Sequence, residues 1–133
     1  MSNTGQIIVL HNIRKRRAEK MASDYKKVLD EVKTTESNIK KAIASKLVLK
    51  DRLRNIKMSF SRALSRGSLD SVSMASWRIS IELMEDEVVQ SEIKEMKFKD
   101  KVEDLRKEAD LKKMEYKKLM VACEKIEILQ AMI

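Results

Sequence analysis

Few side chains in this chain of 133 residues could do covalent or acid–base chemistry, and none has a partner at useful spacing. His11 is the only histidine and Cys123 the only cysteine. A zinc centre needs three or four ligands, and a nucleophile–base–carboxylate triad needs three groups converging. Cys123 also falls where helical periodicity places apolar residues, which fits a buried, inert thiol. The adjacent carboxylates Glu85 and Asp86 are most simply a solvated or ion-paired face. There is no glycine-rich loop to cradle a phosphate. The expectation is a chain that is not an enzyme, with no cofactor and no metal ion.

One cluster carries binding chemistry: Arg14-Lys15-Arg16-Arg17, continued by Lys20. Such a run can neutralise phosphates. Nucleic-acid binding also calls for interleaved aromatics, and here 21 acidic residues are spread along the chain instead. Docking onto an acidic protein surface is the better expectation, with no nucleic acid as partner. A basic helical nucleic-acid-binding protein is kept as an alternative.

The elements that must carry these residues follow from punctuation. There are two glycines, Gly5 and Gly67, and no proline. These residues are the strongest interrupters of regular structure, so two uninterrupted segments meet near Gly67. Charged residues make up 38%, apolar residues 43% and aromatics 4%, a profile of long helices and coiled coils. A single cysteine permits no internal disulfide, and Ile7-Ile8-Val9-Leu10 is too short for a signal-peptide core or a membrane span. A cytoplasmic protein without direct membrane insertion is expected.

Apolar residues recur at alternating spacings of three and four from Ala18 through Tyr25, Val28, Val32, Leu49, Leu53, Ile56 and Phe60 to Ala63. Only Thr35 and Lys46 interrupt that series. A second series runs from Met74 and Trp77 through Ile81, Val102, Leu105, Cys123 and Ile126 to Ile133, with polar members at Ser91, Glu95, Lys112 and Gln130. Sustained 3.5-residue periodicity marks a left-handed helical supercoil. The predicted fold is all-α, with two long helices in an antiparallel coiled-coil hairpin. Its parts are a flexible N-terminus (1–6), helix one (7–65), a turn (66–69) and helix two (70–133). Gly67 suits the left-handed position after helix one, and Ser68 or Asp70 can cap helix two.

Charge supports the same fold. Residues 1–65 hold 16 Lys+Arg against 6 Asp+Glu, whereas residues 66–133 hold 13 against 15. Folding about Gly67 sets Lys40, Lys41, Lys46, Lys50, Arg52, Arg54 and Lys57 alongside Glu82, Glu85, Asp86, Glu87, Glu92 and Glu95. A parallel dimer would oppose like charges instead. Apolar residues outside the two series form two groups, thinning out between them to Leu29, Met96, Leu111 and Met114. One, toward the turn, has Ile43, Leu47, Val48, Ile79, Leu83, Val89 and Ile93. The other, toward the termini, has Ile7, Ile8, Leu10, Ile13, Met120, Val121, Ile128, Leu129 and Met132. Two helices cannot cover these residues, and contiguous exposed apolar area marks contact sites.

Two local motifs carry a family likeness. Leu10-His11-Asn12-Ile13-Arg14, followed by Arg17-Ala18-Glu19-Lys20, is similar to the basic opening of one branch of the central-stalk proteins of type III secretion and flagellar export, the YscO/FliJ group. Trp77, within Ser76-Trp77-Arg78-Ile79-Ser80-Ile81, opens helix two as a tryptophan does in both branches. Length, hairpin layout and charge resemble the family along nearly the whole chain. The resemblance implies a central stalk whose terminal end enters a hexameric type III secretion ATPase and whose turn end reaches the cytoplasmic ring of the export gate. It implies a location at the cytoplasmic face of a bacterial secretion apparatus, with export chaperones as further partners.

By the same resemblance, the ATPase-binding residues are Arg14, Arg17, Lys20, Ile126 and Leu129. Flagellar gate contacts, carried by spacing from Trp77, fall on Leu83, Glu87, Gln90 and Lys94. Glu87 stands where that branch has an apolar residue, and Lys94 adds a charge. The corresponding surface of helix one is Ile43, Leu47, Lys50 and Arg54. A coiled-coil escort for export substrates or chaperones is the alternative within the same biology.

Overall fold

The computed structural model describes residues 3–67 and 69–132. They form two helices, α1 (Asn3–Ser65, 63 residues) and α2 (Ser71–Met132, 62 residues), which pack against each other as a helical hairpin. No strand occurs among the described residues.

α1 begins earlier than residue 7, the expected start. A lone glycine costs a helix only about 1 kcal/mol relative to alanine, so Gly5 does not delay it. Ile7, His11 and Arg14 are half-buried at the same four-three spacing that leads into Ala18. The packed seam therefore extends into this opening and holds it helical; residues 1 and 2 lie outside the described set.

The turn is built by three local devices. Gly67 takes φ 66°, and a Cβ there would meet nothing within 4 Å. Glycine is thus required for its backbone conformation and not for space. Before it, the Arg66 N–H donates to the Arg62 carbonyl at 3.2 Å and the Gly67 N–H to that of Leu64 at 3.1 Å, satisfying carbonyls the helix end would leave orphaned. After it, the Ser73 N–H donates to Asp70 Oδ1 at 2.6 Å and the Met74 N–H to the Asp70 carbonyl at 3.0 Å. Asp70 is therefore the N-cap of α2, which starts at Ser71; Ser68, the other cap candidate, lies outside the described residues.

The chain divides into two compact units, each made of a piece of both helices. Unit 1 comprises residues 1–34 and 102–133, and unit 2 comprises residues 35–101. The core of unit 1 is apolar: Val28 and Val32 of α1 meet Leu105 and Ala109 of α2, with Tyr25 and Leu29 packed against them. Ala18, Val102, Cys123 and Ile126 are buried as well. Fully burying one such Val, Leu or Ile is worth about 1.5–3 kcal/mol.

Unit 2 is sealed differently. Its buried residues are Ala42 and Val88 together with the polar Thr35 and Glu95. Leu49, Leu53, Ile56, Met74, Trp77, Ile81 and Met84 are only half-covered. Phe60 stacks on Trp77 with ring centroids 5.9 Å apart and planes inclined by 29°.

Ion pairs join the helices of unit 2, among them Lys46–Glu95 at 3.0 Å, Lys50–Glu92 at 3.4 Å and Lys57–Glu85 at 3.3 Å. They run in opposite order along the two helices, as an antiparallel pairing demands. Lys46 interrupts the apolar series of α1 and Glu95 that of α2. The Lys46 ammonium donates to both Glu95 carboxylate oxygens, at 3.1 and 3.0 Å, so each interruption answers the other.

Candidate binding surfaces

Because successive helical residues turn by about 100°, the seam of each unit has two flanks, and each surface residue belongs to one of them. In unit 2 the first flank holds the Lys50–Glu92 and Lys57–Glu85 pairs. Ile43, Leu47, Lys50 and Arg54, spaced four-three-four, run along α1 on this flank. Leu47 is 59% exposed, Ile43 is half-buried, and Arg54 is exposed. Lys50 is already engaged by Glu92.

The second flank of unit 2 is a shallow groove. Asn38, Lys41 and Ser45 of α1 face Gln90 and Lys94 of α2 across a floor of Ala42, Ser91 and Phe98. The Lys94 ammonium lies 6.0 Å from the centre of the Phe98 ring, within cation–π range. Leu83 (60% exposed), Glu87, Gln90 and Lys94 form the α2 stripe on this side. The eight gate residues expected from the sequence are thus two stripes on opposite flanks, and the fold does not bring them together as one patch.

Unit 1 gathers its expected residues better, with one correction. Arg14, half-buried, lines a second shallow groove with Lys117, Lys118, Val121, Ala122 and Lys125. Arg17 and Lys20 continue along α1 on the same flank and are exposed, and Leu129 is 50% exposed at the far rim. Ile126, assigned to the ATPase-binding set, is only 2% exposed. Its spacing from Cys123 places it in the seam, where it is consumed by packing against α1 and has no surface to offer a partner. Lys117, Lys118 and Lys125 were missed by sequence reasoning. Their signal was the seven-residue interval between Lys118 and Lys125, two helical turns on one face.

The other flank of unit 1 holds His11. Its Nε2 lies 3.9 Å from the Glu127 carboxylate, and its Nδ1 is buried without a hydrogen-bond partner among the described residues. Cys123, Tyr116 and Met120 line the same recess. No group of three or more His, Cys, Asp or Glu residues that could hold a metal ion occurs among the described residues.

Apolar side chains outside the seam are exposed in both units. Ile8, Val9, Leu10, Ile13, Leu111, Met114, Met120, Val121, Ile128, Leu129 and Met132 are exposed in unit 1, and Leu47, Val48, Met58, Leu64, Val72, Ile79, Leu83, Val89, Ile93 and Met96 in unit 2. Ile7, expected among them, is half-buried in the seam. No described helix is long and apolar enough to cross a membrane.

Comparisons with protein-family models, with curated proteins and with solved structures found no match to this chain.

Proposed function

We propose that this hairpin is the central stalk of a type III secretion ATPase complex, with unit 1 engaging the hexameric ATPase and unit 2 the export gate. The observation that carries this reading is the exposed apolar surplus outside the seam in both units. Surplus of that kind serves partners more than folding. The resemblance of the Leu10–Lys20 and Ser76–Ile81 segments to central-stalk proteins supplies the identity of those partners.

The mechanism needs no catalytic side chain. One hairpin chain cannot touch six identical ATPase subunits equivalently, so its contacts favour different conformations in different subunits. A partner held by the second unit would feel that asymmetry, and hydrolysis and export would be coupled through the differential contacts made in each state. Arg14, Arg17, Lys20 and Leu129 are the ATPase-facing residues in this scheme. The gate is met by one of the two unit 2 stripes, of which Leu83–Lys94 follows Trp77 as the family likeness implies. The expected result is faster hydrolysis by the cognate hexamer on adding this protein, together with co-elution of the two. Unchanged turnover without co-elution would count heavily against the stalk.

A further inference from the structure

We propose that the groove of unit 1 lined by Arg14, Lys117, Lys118 and Lys125 over Val121 and Ala122 is a docking site for an acidic amphipathic helix of a partner protein. The inference deepens the proposed function, and rests on it only for the identity of the protein that supplies the helix.

Charge comes first. Four cations line the groove and no acid does, and none of the four takes part in an ion pair among the described residues. By contrast, Lys107 and Lys112 on the same helix are engaged by Glu103 and Glu108. The four groove cations are therefore open to carboxylates from outside.

Spacing then selects the shape of the occupant. Lys117–Val121–Lys125 and Lys118–Ala122–Lys125 are two adjacent rows, each reading cation, small apolar residue, cation over two turns of α2. A helix lying along the groove presents acid, apolar residue, acid at the same three- and four-residue intervals, as in helix-in-groove recognition. Exposed Leu10, Ile13 and Leu129 widen the apolar contact. An extended peptide repeats every two residues and finds no sheet edge here for its backbone. Nucleic acid would satisfy the cations, but it would leave Val121 and the apolar rim unused, and the groove offers no ring on which a base could stack.

The probe is a three-heptad peptide with Glu flanking Leu and Ala at these intervals, beside a counterpart carrying Gln for every Glu. Binding to the full chain is read by fluorescence anisotropy at ~0.15 M salt, where distant charges are screened. The Glu peptide is expected to bind roughly tenfold more tightly than the Gln peptide, and Lys118→Glu/Lys125→Glu is expected to lose roughly tenfold. Val121→Gln should also weaken binding. Lys26→Glu/Lys33→Glu, an equal charge change outside the groove, should not. All substituted side chains are exposed, so each variant is expected to keep its helicity, which circular dichroism checks.

Equal affinity for the two peptides, or no loss in Lys118→Glu/Lys125→Glu, overturns the proposal. So does tighter binding of duplex DNA with no effect of Val121→Gln. The cognate ATPase separates this inference from the stalk itself. Stimulation by the native chain that persists fully in Lys118→Glu/Lys125→Glu overturns the groove and leaves the stalk standing. Groove-dependent peptide binding with neither stimulation by the native chain nor its co-elution with the ATPase supports the groove and removes the stalk.

Discussion

Units 1 and 2 are cut from the same two helices, yet their interiors are closed by different forces. Val28, Val32, Leu105, Ala109, Cys123 and Ile126 are among the apolar buried residues of unit 1, whereas unit 2 buries Thr35 and Glu95 and has ion pairs between its helices. Exposed pairs contribute only about 0.2–1 kcal/mol each. Buried ones add little net stability, because desolvation offsets most of their attraction. The lesson is a division of labour. Unit 1 holds the hairpin shut, and unit 2 sets the register in which it shuts.

The largest effect should follow from attacking the apolar seam. Leu105→Asp places a charge in the core of unit 1 and should abolish cooperative melting followed by circular dichroism. The gentler Leu105→Ala should cost about 2–4 kcal/mol, and Leu53→Ala in the half-covered seam of unit 2 less. Equal costs would erase the contrast between the units.

Next come the polar seam residues. Glu95→Ala strands the Lys46 ammonium at a part-buried position and should lower the melting temperature more than Glu85→Ala, whose partner Lys57 is well exposed. Replacing both, Lys46→Leu/Glu95→Leu, should recover stability and relax register. Disulfide trapping between cysteines placed one heptad out of register would detect that slippage.

Acid tests the same pair. The hydrogen bond from Lys46 holds the Glu95 carboxyl below its ordinary value, and the Ser73 N–H does the same for Asp70. Both folded-state values are depressed. Their stabilisation is therefore full above the ordinary carboxylate values and fades as pH falls through the lowered ones. Acid melting should be blunted in Lys46→Leu/Glu95→Leu. Amide exchange should be faster in unit 2 than in unit 1 at neutral pH. The smallest effect belongs to Asp70→Ala, which removes one cap from an exposed turn and should shift the melting temperature only slightly.

Much of the fold was legible because a seam is a local pattern. Every described position in both heptad series is buried or half-buried, including the supposed interruptions Thr35 and Lys46. What spacing could not show was that Lys46 and Glu95 interrupt their helices at the same level, since that depends on the pairing register. α1 starts earlier than residue 7 because the seam extends through Ile7, His11 and Arg14, beyond the Ala18 at which the apolar series begins. Of the candidate surfaces, Arg14, Arg17, Lys20 and Leu129 share a flank, whereas Ile126 was assigned two incompatible roles and the seam has it. The two gate stripes are each regular by themselves. Only the ion pairs on one flank and the groove on the other show that they face apart.

The central claim is that each unit has its own partner, and photo-cross-linking inside the secreting cell tests it most directly. A benzophenone side chain at Leu129 should capture the ATPase, and one at Leu83 the export gate, in separate products of different mass. Capture of the same partner from both positions, or of neither protein from either, would contradict the account.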